Sequence, residues 1–161
     1  MKRNVTIILA GAALGVVSPL VHGGQKVPFD STHYYAAQLQ TVQFEPNHNY
    51  MLIKEWRGIA ATKDPSSVAN MTRLECSGYI DSRADGTFSA EGYCNHWDRD
   101  GHLWVGHWWN NSTMKLGRYE VVAGIGKYAG ATGGGTAACN FLKPGPDAQV
   151  VCEVTGTIEL K

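Results

Sequence analysis

The stretch Cys76–Cys94, CSGYIDSRADGTFSAEGYC, is symmetric about Asp85, which lies at its midpoint. Ala84-Asp85-Gly86 is typical of a β-turn, so a chain reversal here places Cys76 directly opposite Cys94 on antiparallel strands. Directly opposed strand residues bring their Cα atoms within the roughly 7 Å that a disulfide can span. The stretch therefore predicts a disulfide-bridged β-hairpin.

A second cysteine pair has the same arrangement. Cys139 and Cys152 lie symmetrically about the turn signal Pro144-Gly145-Pro146-Asp147. Four cysteines allow three disulfide connectivities. The opposed positions favour Cys76–Cys94 and Cys139–Cys152 over the other two.

The N-terminus predicts export. Lys2 and Arg3 precede an uncharged apolar stretch at 7–17, which is shorter than the roughly 20 residues of a membrane-spanning helix. Val21 and Gly23 fit the −3 and −1 positions of a cleavage site. We expect residues 1–23 to be a signal peptide, the alternative being an uncleaved anchoring helix, and residues 24–161 to form one soluble, secreted or periplasmic domain.

The charge balance argues against a nucleic-acid partner. Lys plus Arg and Asp plus Glu each number 14, and loss of Lys2 and Arg3 leaves the mature chain slightly acidic. Proteins that bind nucleic acid usually carry a strong basic excess. After the first 23 residues no segment is long and apolar enough to span a membrane, so we expect no integral membrane segment after processing.

The mature chain reads as strands separated by turns. Aromatic and β-branched residues alternate with polar ones between clusters such as Asp98-Arg99-Asp100-Gly101. The predicted strands are 34–44, 50–59, 71–80, 87–97, 102–110, 116–123, 135–142 and 148–160. Only 126–130 resembles a helical turn. The pattern predicts an all-β antiparallel sandwich or barrel.

The two faces of the cysteine hairpin differ in composition. The cysteine face carries mainly aliphatic residues and His96, and extension across the turn at 98–101 adds Leu103, Val105, His107 and Trp109. We expect this face to point inward. The opposite face is polar and aromatic, with Arg73, Glu75, Tyr79, Glu91, Tyr93, Asn95, Trp97, His102, Trp104 and Trp108. Either that face is a ligand or subunit surface, or the assignment is reversed and it lines a cavity.

The glycine-rich segment 122–135, VAGIGKYAGATGGG, resembles the corresponding segment of dirigent proteins and allene-oxide-cyclase-like barrels. The hairpin 76–94 with the turn 98–101 is similar to small exported bacterial proteins of that barrel type. The resemblance implies a single antiparallel eight-stranded barrel, often trimeric, that holds a hydrophobic or phenolic molecule in its lumen. The acids and bases of this chain do not align with the catalytic positions of either group, so the resemblance implies the fold and not an activity.

Several side chains are candidates for chemistry. His96 and His107, expected roughly 13 Å apart on the inward face, are each a lone general acid/base or a packed core histidine. If the aromatic face lines the lumen instead, Arg73, Glu75, Glu91 and Tyr93 form the acid/base and oxyanion set. Otherwise Arg73, Glu75 and Glu91 form a surface ion-pair ladder. The candidate ligand-binding residues are Trp97, Trp104, Trp108 and Trp109.

Neither a metal nor a cofactor is predicted. The segment 98–102 opens like a calcium loop, but Trp109 occupies the twelfth position, where the loop requires glutamate. The cysteines lack Cys-x-x-Cys spacing, and an exported chain favours disulfides over zinc ligation.

Three functions fit these patterns. The chain is an exported barrel that binds a small hydrophobic or aromatic molecule, or an isomerase, cyclase or lyase that acts on a lipid-derived or phenolic substrate by proton transfer. The third is an interaction module that uses the exposed aromatic face to meet another subunit or a glycan. The binding function is favoured because aromatic richness explains it without a catalytic set.

Overall fold

Eight antiparallel strands form a closed barrel in the computed structural model, which describes residues 24–161. Each strand pairs with the next in sequence, and the last pairs with the first. The strands are β1 (Gln25–Glu45), β2 (His48–Ala61), β3 (Thr72–Arg83), β4 (Phe88–Trp97), β5 (Leu103–Asn111), β6 (Gly117–Ile125), β7 (Thr132–Lys143) and β8 (Asp147–Leu160). The predicted all-β eight-stranded barrel is therefore confirmed, while the predicted signal peptide lies outside the described residues.

The helical turn expected in the glycine-rich segment is a 3-10 turn at Gly126–Tyr128, between β6 and β7. β6 and β7 pair only between 117–120 and 134–137, and the turn follows where that pairing has ended. Tyr128 is fully buried there, and Lys127 Nζ lies 2.6 Å from Asp98 Oδ2 on the neighbouring hairpin. The turn therefore seals one end of the barrel. No helix in the described residues is long and apolar enough to cross a membrane.

Both predicted disulfides are present. Cys76 bonds to Cys94 and Cys139 to Cys152, and the Cα atoms of each pair are 4.0 Å apart. Each pair consists of directly opposed residues on adjacent strands, β3 with β4 and β7 with β8. All four sulfurs belong to residues that line the barrel interior. The cysteine face of β3, β4 and β8 therefore points inward, as expected, and the reversed assignment is wrong for these strands.

The expected inward face of β5 is wrong. His96 pairs with Trp104 and Tyr93 with His107, one residue away from the predicted register. The turn has three central residues, Arg99-Asp100-Gly101, with Gly101 at φ +79°, whereas the prediction assumed two. The last residue of a three-residue hairpin loop of this type has a left-handed backbone conformation and is usually glycine. Because side chains alternate along a strand, the shift sends Trp104 and Trp108 inward and His107 and Trp109 outward.

The two ends of the barrel differ in packing. At the end that contains Gln25 and Leu160, a buried aromatic cluster of Phe29, Trp104, Tyr119 and Tyr128 fills the interior together with Ile158. At the other end the interior reaches the β3–β4 turn, whose Gly86 and Thr87 line it. The barrel interior is thus filled by side chains at one end and open at the other.

The register of the β4–β5 hairpin depends on the backbone of Gly101. A Cβ on Gly101 would meet nothing within 4 Å, so replacement acts only through the positive φ. We expect Gly101→Ala to lower the free energy of unfolding by about 1–2 kcal/mol, measured by urea denaturation. Gly101→Asn is the matched control. Because asparagine tolerates this backbone conformation, this variant should lose less free energy of unfolding than Gly101→Ala. Equal losses in the two variants would contradict a conformational origin.

Candidate functional site

The barrel encloses a cavity of about 460 Å³, within the range of small-molecule sites. Its wall is largely apolar and aromatic, and includes Met51, Trp56, Ile80, Trp108 and Val150. Arg83, beside the β3–β4 turn, is the one arginine or lysine among the described lining residues, and none of these residues is an aspartate or a glutamate. The cavity therefore suits a mainly apolar molecule.

The position of Trp108 depends on two glycines. Gly78 and Gly92 are opposite each other on β3 and β4. A Cβ on Gly78 would lie 2.7 Å, and one on Gly92 2.6 Å, from Cζ2 of the Trp108 ring. The bare backbone therefore lets the indole lie against the wall and leaves the centre of the cavity open.

Four side chains form the inner end of the cavity, which we call the lumen floor: His33 and Tyr35 from β1, His96 from β4 and Trp104 from β5. β1 and β4 are separated by two strands in the sheet, yet the His33 and His96 rings are 5.8 Å apart. The His96 ring stacks on Trp104 with centroids 3.4 Å apart and planes 10° from parallel. The floor thus spans the barrel interior.

A buried hydrogen-bond chain runs along β1. Ser31 Oγ is 2.9 Å from His33 Nε2, and Tyr35 Oη is 3.0 Å from His33 Nδ1. Ser31, His33 and Tyr35 are alternate residues and therefore share the inward face. A neutral imidazole has one donor and one acceptor nitrogen, so the chain runs either from Tyr35 towards Ser31 or in reverse.

Burial keeps the floor uncharged. It lowers the pKa of His33 to about 4, and together with the nearby His33 it holds the pKa of His96 well below its usual value. Burial also raises the pKa of the Tyr35 hydroxyl. At neutral pH both imidazoles and the phenol are neutral. The floor can therefore exchange hydrogen bonds but offers no charge.

Four of the predicted catalytic or ligand-binding residues line this cavity, namely His96, Trp104, Trp108 and Trp109, although the Trp109 ring stacks on His107. His96 was expected to face inward, and it does. Trp104 and Trp108 were assigned to the opposite face and are inside because of the register shift described above. Their roles as general acid/base or ligand-binding groups stay predictions.

His107 is on the outside of the barrel, so its predicted position on the inward face is wrong. It belongs to an outer cluster of Glu91, Tyr93, His107, Trp109 and Glu120. Its Nε2 is 3.0 Å from Glu91 Oε1, its Nδ1 is 3.5 Å from Glu120 Oε1, and its ring packs between Tyr93 and Trp109. Glu91 and Tyr93 are therefore not lumenal acid/base groups.

Arg73 and Trp97 are also on the outer wall. The Arg73 guanidinium is 5.3 Å from the Trp97 ring centroid, and its Nε is 3.7 Å from Glu75 Oε1. These contacts fit the surface ion-pair ladder that was one of the two expectations for Arg73, Glu75 and Glu91. Because the guanidinium is well exposed, the ion pair contributes little to stability.

Three lumenal residues were missed: His33, Tyr35 and Trp56. The predicted first strand began at Tyr34, although Phe29, Ser31 and His33 continue its period-two pattern towards the N-terminus. Trp56 faces inward because a β-bulge lies between Ile53, which pairs with Gly78, and Trp56, which pairs with Cys76. The two consecutive charged residues Lys54 and Glu55 were the available signal for that bulge.

The described residues hold no cluster of three or more His, Cys, Asp or Glu side chains arranged to bind a metal ion. This finding concerns residues 24–161 alone. The floor histidines are hydrogen-bonded or stacked and lie among apolar side chains.

Comparison with known proteins identifies the fold. The structure of the pterocarpan synthase dirigent protein GePTS1 matches with a TM-score of 0.55 and 12% identity over 94% of this chain and 100% of that one. That of PsPTS1, also a pterocarpan synthase dirigent protein, matches with a TM-score of 0.53 and 10% identity over 85% and 97%. No family model and no curated protein matches the sequence. The chain has a dirigent-like barrel, as the glycine-rich segment suggested.

The depressed pKa of His33 predicts acid sensitivity. Between pH 6.5 and about 4 the unfolded chain binds a proton at His33 that the folded chain does not, so stability is present above pH 6.5 and is lost as the pH falls through this window. One such proton changes the free energy of unfolding by about 1.4 kcal/mol per pH unit at most. Urea denaturation at several pH values should show that the free energy of unfolding falls less steeply with decreasing pH in His33→Gln than in wild type. Above pH 7.5 the two slopes should coincide, and a variant as acid-sensitive as wild type would contradict the assignment.

Proposed function

We propose that the protein is an exported barrel that binds a small hydrophobic or aromatic molecule in its lumen. The observation that carries the proposal is the open cavity of about 460 Å³, walled by aromatic and aliphatic side chains. An apolar cavity of this size that stays empty forgoes dispersion contacts, and an apolar occupant restores them and removes its own surface from water.

Export is part of the proposal. Two disulfides with no free cysteine among the described residues suit an oxidising compartment such as the periplasm or the cell exterior. The disulfides also tie β3 to β4 and β7 to β8 on the cavity wall, which supports a preformed site.

A proton-transfer enzyme is the second candidate, favoured by the two imidazoles and the phenol that face one cavity. The low pKa of His33 and His96 makes them weak bases at neutral pH, which favours binding over proton abstraction. The candidate is tested by following exchange of the α-protons of 2-tetralone in D2O by NMR. Exchange that depends on protein and is lost in His96→Phe would favour the enzyme.

The binding function is tested by filling the cavity. Ala90 lines the lumen and Ser89, its neighbour, is exposed on the outer wall. We expect Ala90→Phe to weaken binding of 2-naphthol and decanoic acid by about tenfold or more, because the added ring occupies the ligand volume. Equilibrium dialysis measures the dissociation constants.

Ser89→Phe adds the same ring outside the barrel and should bind both probes like wild type. Thermal denaturation checks that both variants fold. Binding by Ala90→Phe that equals wild type would show that the probes do not occupy the lumen.

A further inference from the structure

The barrel wall has a gap beside β7. The pairing of β6 with β7 ends at Gly117 and Ala137, and residues 138–143 continue β7 towards the open end with β8 as their only partner strand. Across the gap, the backbone of the β5–β6 loop, residues 112–116, hydrogen-bonds to β4 and β5, and in the described part of the chain it makes no backbone hydrogen bond to β7. We call residues 112–117 and 138–143 the gap rim.

The ligand cavity reaches this gap. Gly117 lines the cavity on one side of the gap and Cys139 on the other. Phe141 also lines the cavity, yet 48% of it is exposed, so one side chain contacts both the lumen and the solvent. The gap therefore joins the cavity to the outside through the side of the barrel, next to its open end.

The gap rim exposes large apolar side chains on both of its segments. Leu116 is 41% exposed and Leu142 is 65% exposed, which makes Leu142 the most exposed large apolar residue in the described chain. Phe141 lies between them and the cavity. Exposed apolar side chains grouped at one place are typical of a contact surface, because burial removes their area from water.

The charged groups of the gap rim are all positive. Lys115 and Lys143 are exposed, and each follows or precedes a rim leucine in the sequence. Neither lysine forms an ion pair with any other residue of 24–161. The rim segments contain no aspartate or glutamate. The surface therefore suits a partner that is both apolar and anionic.

This charge pattern disfavours a second copy of the chain as the partner. In a two-fold interface the same patch of each protomer meets its counterpart, so Lys115 and Lys143 would face identical lysines with no rim carboxylate to pair them. A membrane surface with anionic lipids instead offers phosphates to the lysines and acyl chains to the apolar side chains. The free β7 edge limits the depth, because its backbone groups need water or headgroups as hydrogen-bonding partners.

We propose that the gap rim docks onto an anionic lipid surface. Leu116, Phe141 and Leu142 enter the boundary between headgroups and acyl chains, and Lys115 and Lys143 contact the lipid phosphates. The proposal goes beyond lumenal binding and does not depend on the identity of the lumenal ligand. Docking in this orientation brings the gap, and with it the cavity, to the membrane surface.

Vesicle sedimentation tests the docking. Wild type should partition roughly 25-fold more strongly onto vesicles of phosphatidylcholine and phosphatidylglycerol at 7:3 than onto phosphatidylcholine alone at 50 mM NaCl, from about fivefold for each lysine. The difference should shrink at 0.5 M NaCl, because salt screens the attraction. All variants below share one N-terminus, checked by mass spectrometry, so any contribution of residues 1–23 cancels between them.

Two variants assign the contact to the gap rim. Leu142→Ser should weaken partitioning onto the 7:3 vesicles about fivefold or more, because it removes apolar area from the interface. Val122→Ser is its control, since Val122 is also large, apolar and 47% exposed but lies on the outer wall of β6. Lys143→Gln should weaken partitioning about fivefold, whereas Lys63→Gln makes the same charge change on the β2–β3 loop and should stay within about 2-fold of wild type.

Several outcomes would overturn the docking. One is wild type that does not partition onto the 7:3 vesicles, and another is Leu142→Ser and Lys143→Gln that partition like wild type. A third is sedimentation velocity without vesicles in which wild type is oligomeric and Leu142→Ser is monomeric, because the rim would then be a subunit interface. Dialysis of 2-naphthol without vesicles should give wild-type affinity in both rim variants, so failure of docking and failure of lumenal binding are distinguished.

Discussion

Closure of the barrel between β1 and β8 is the constraint on which the rest of the structure depends. The whole of β8 pairs with Gln25–Gln38, and Thr32–Glu45 of β1 pairs with β2, so one long strand joins the first hairpin to the last. Closure removes sheet edges and gives every strand one face towards a common interior. Because side chains alternate between the two faces of a strand, a shift of one residue decides whether a side chain meets the cavity or the solvent.

Turns and bulges control that parity. The Gly101 turn sets β5 so that Trp104 and Trp108 are inside, and the bulge before Trp56 brings that ring to the same cavity. The rings of Trp56 and Trp108 pack edge to face at the cavity wall, with their centroids 5.9 Å apart. The aromatic lining therefore depends on the length of the Gly101 turn and on the bulge before Trp56. A change of one residue at either place would turn an indole towards the solvent.

The sequence correctly predicts the features that follow from the symmetric spacing of residues about a turn. It does not predict features, such as the inward face of β5, that change when a loop is one residue longer. Eight strands, both disulfides and the inward cysteine face follow from turn signals and alternation around Asp85 and Pro144–Asp147. The predicted β5 face is wrong because the loop Arg99-Asp100-Gly101 has three residues, as the similar loop Ala84-Asp85-Gly86 has, and not two. Convergence of His33 on His96 was beyond prediction, since β1 and β4 are neighbours only across the lumen.

The chemistry of the floor is explained more easily by recognition than by stability. Below it the interior is filled by apolar and aromatic groups such as Phe29 and Ile158, and a leucine at position 33 or 96 would continue that packing without desolvating an imidazole. Instead the chain buries two histidines and a tyrosine hydroxyl where a ligand would end. Polar groups buried at such a cost are typical of a functional site built into an otherwise consistent core. Because the same burial keeps these groups neutral, the floor is suited to orienting a polar end group and poorly suited to removing a proton from it.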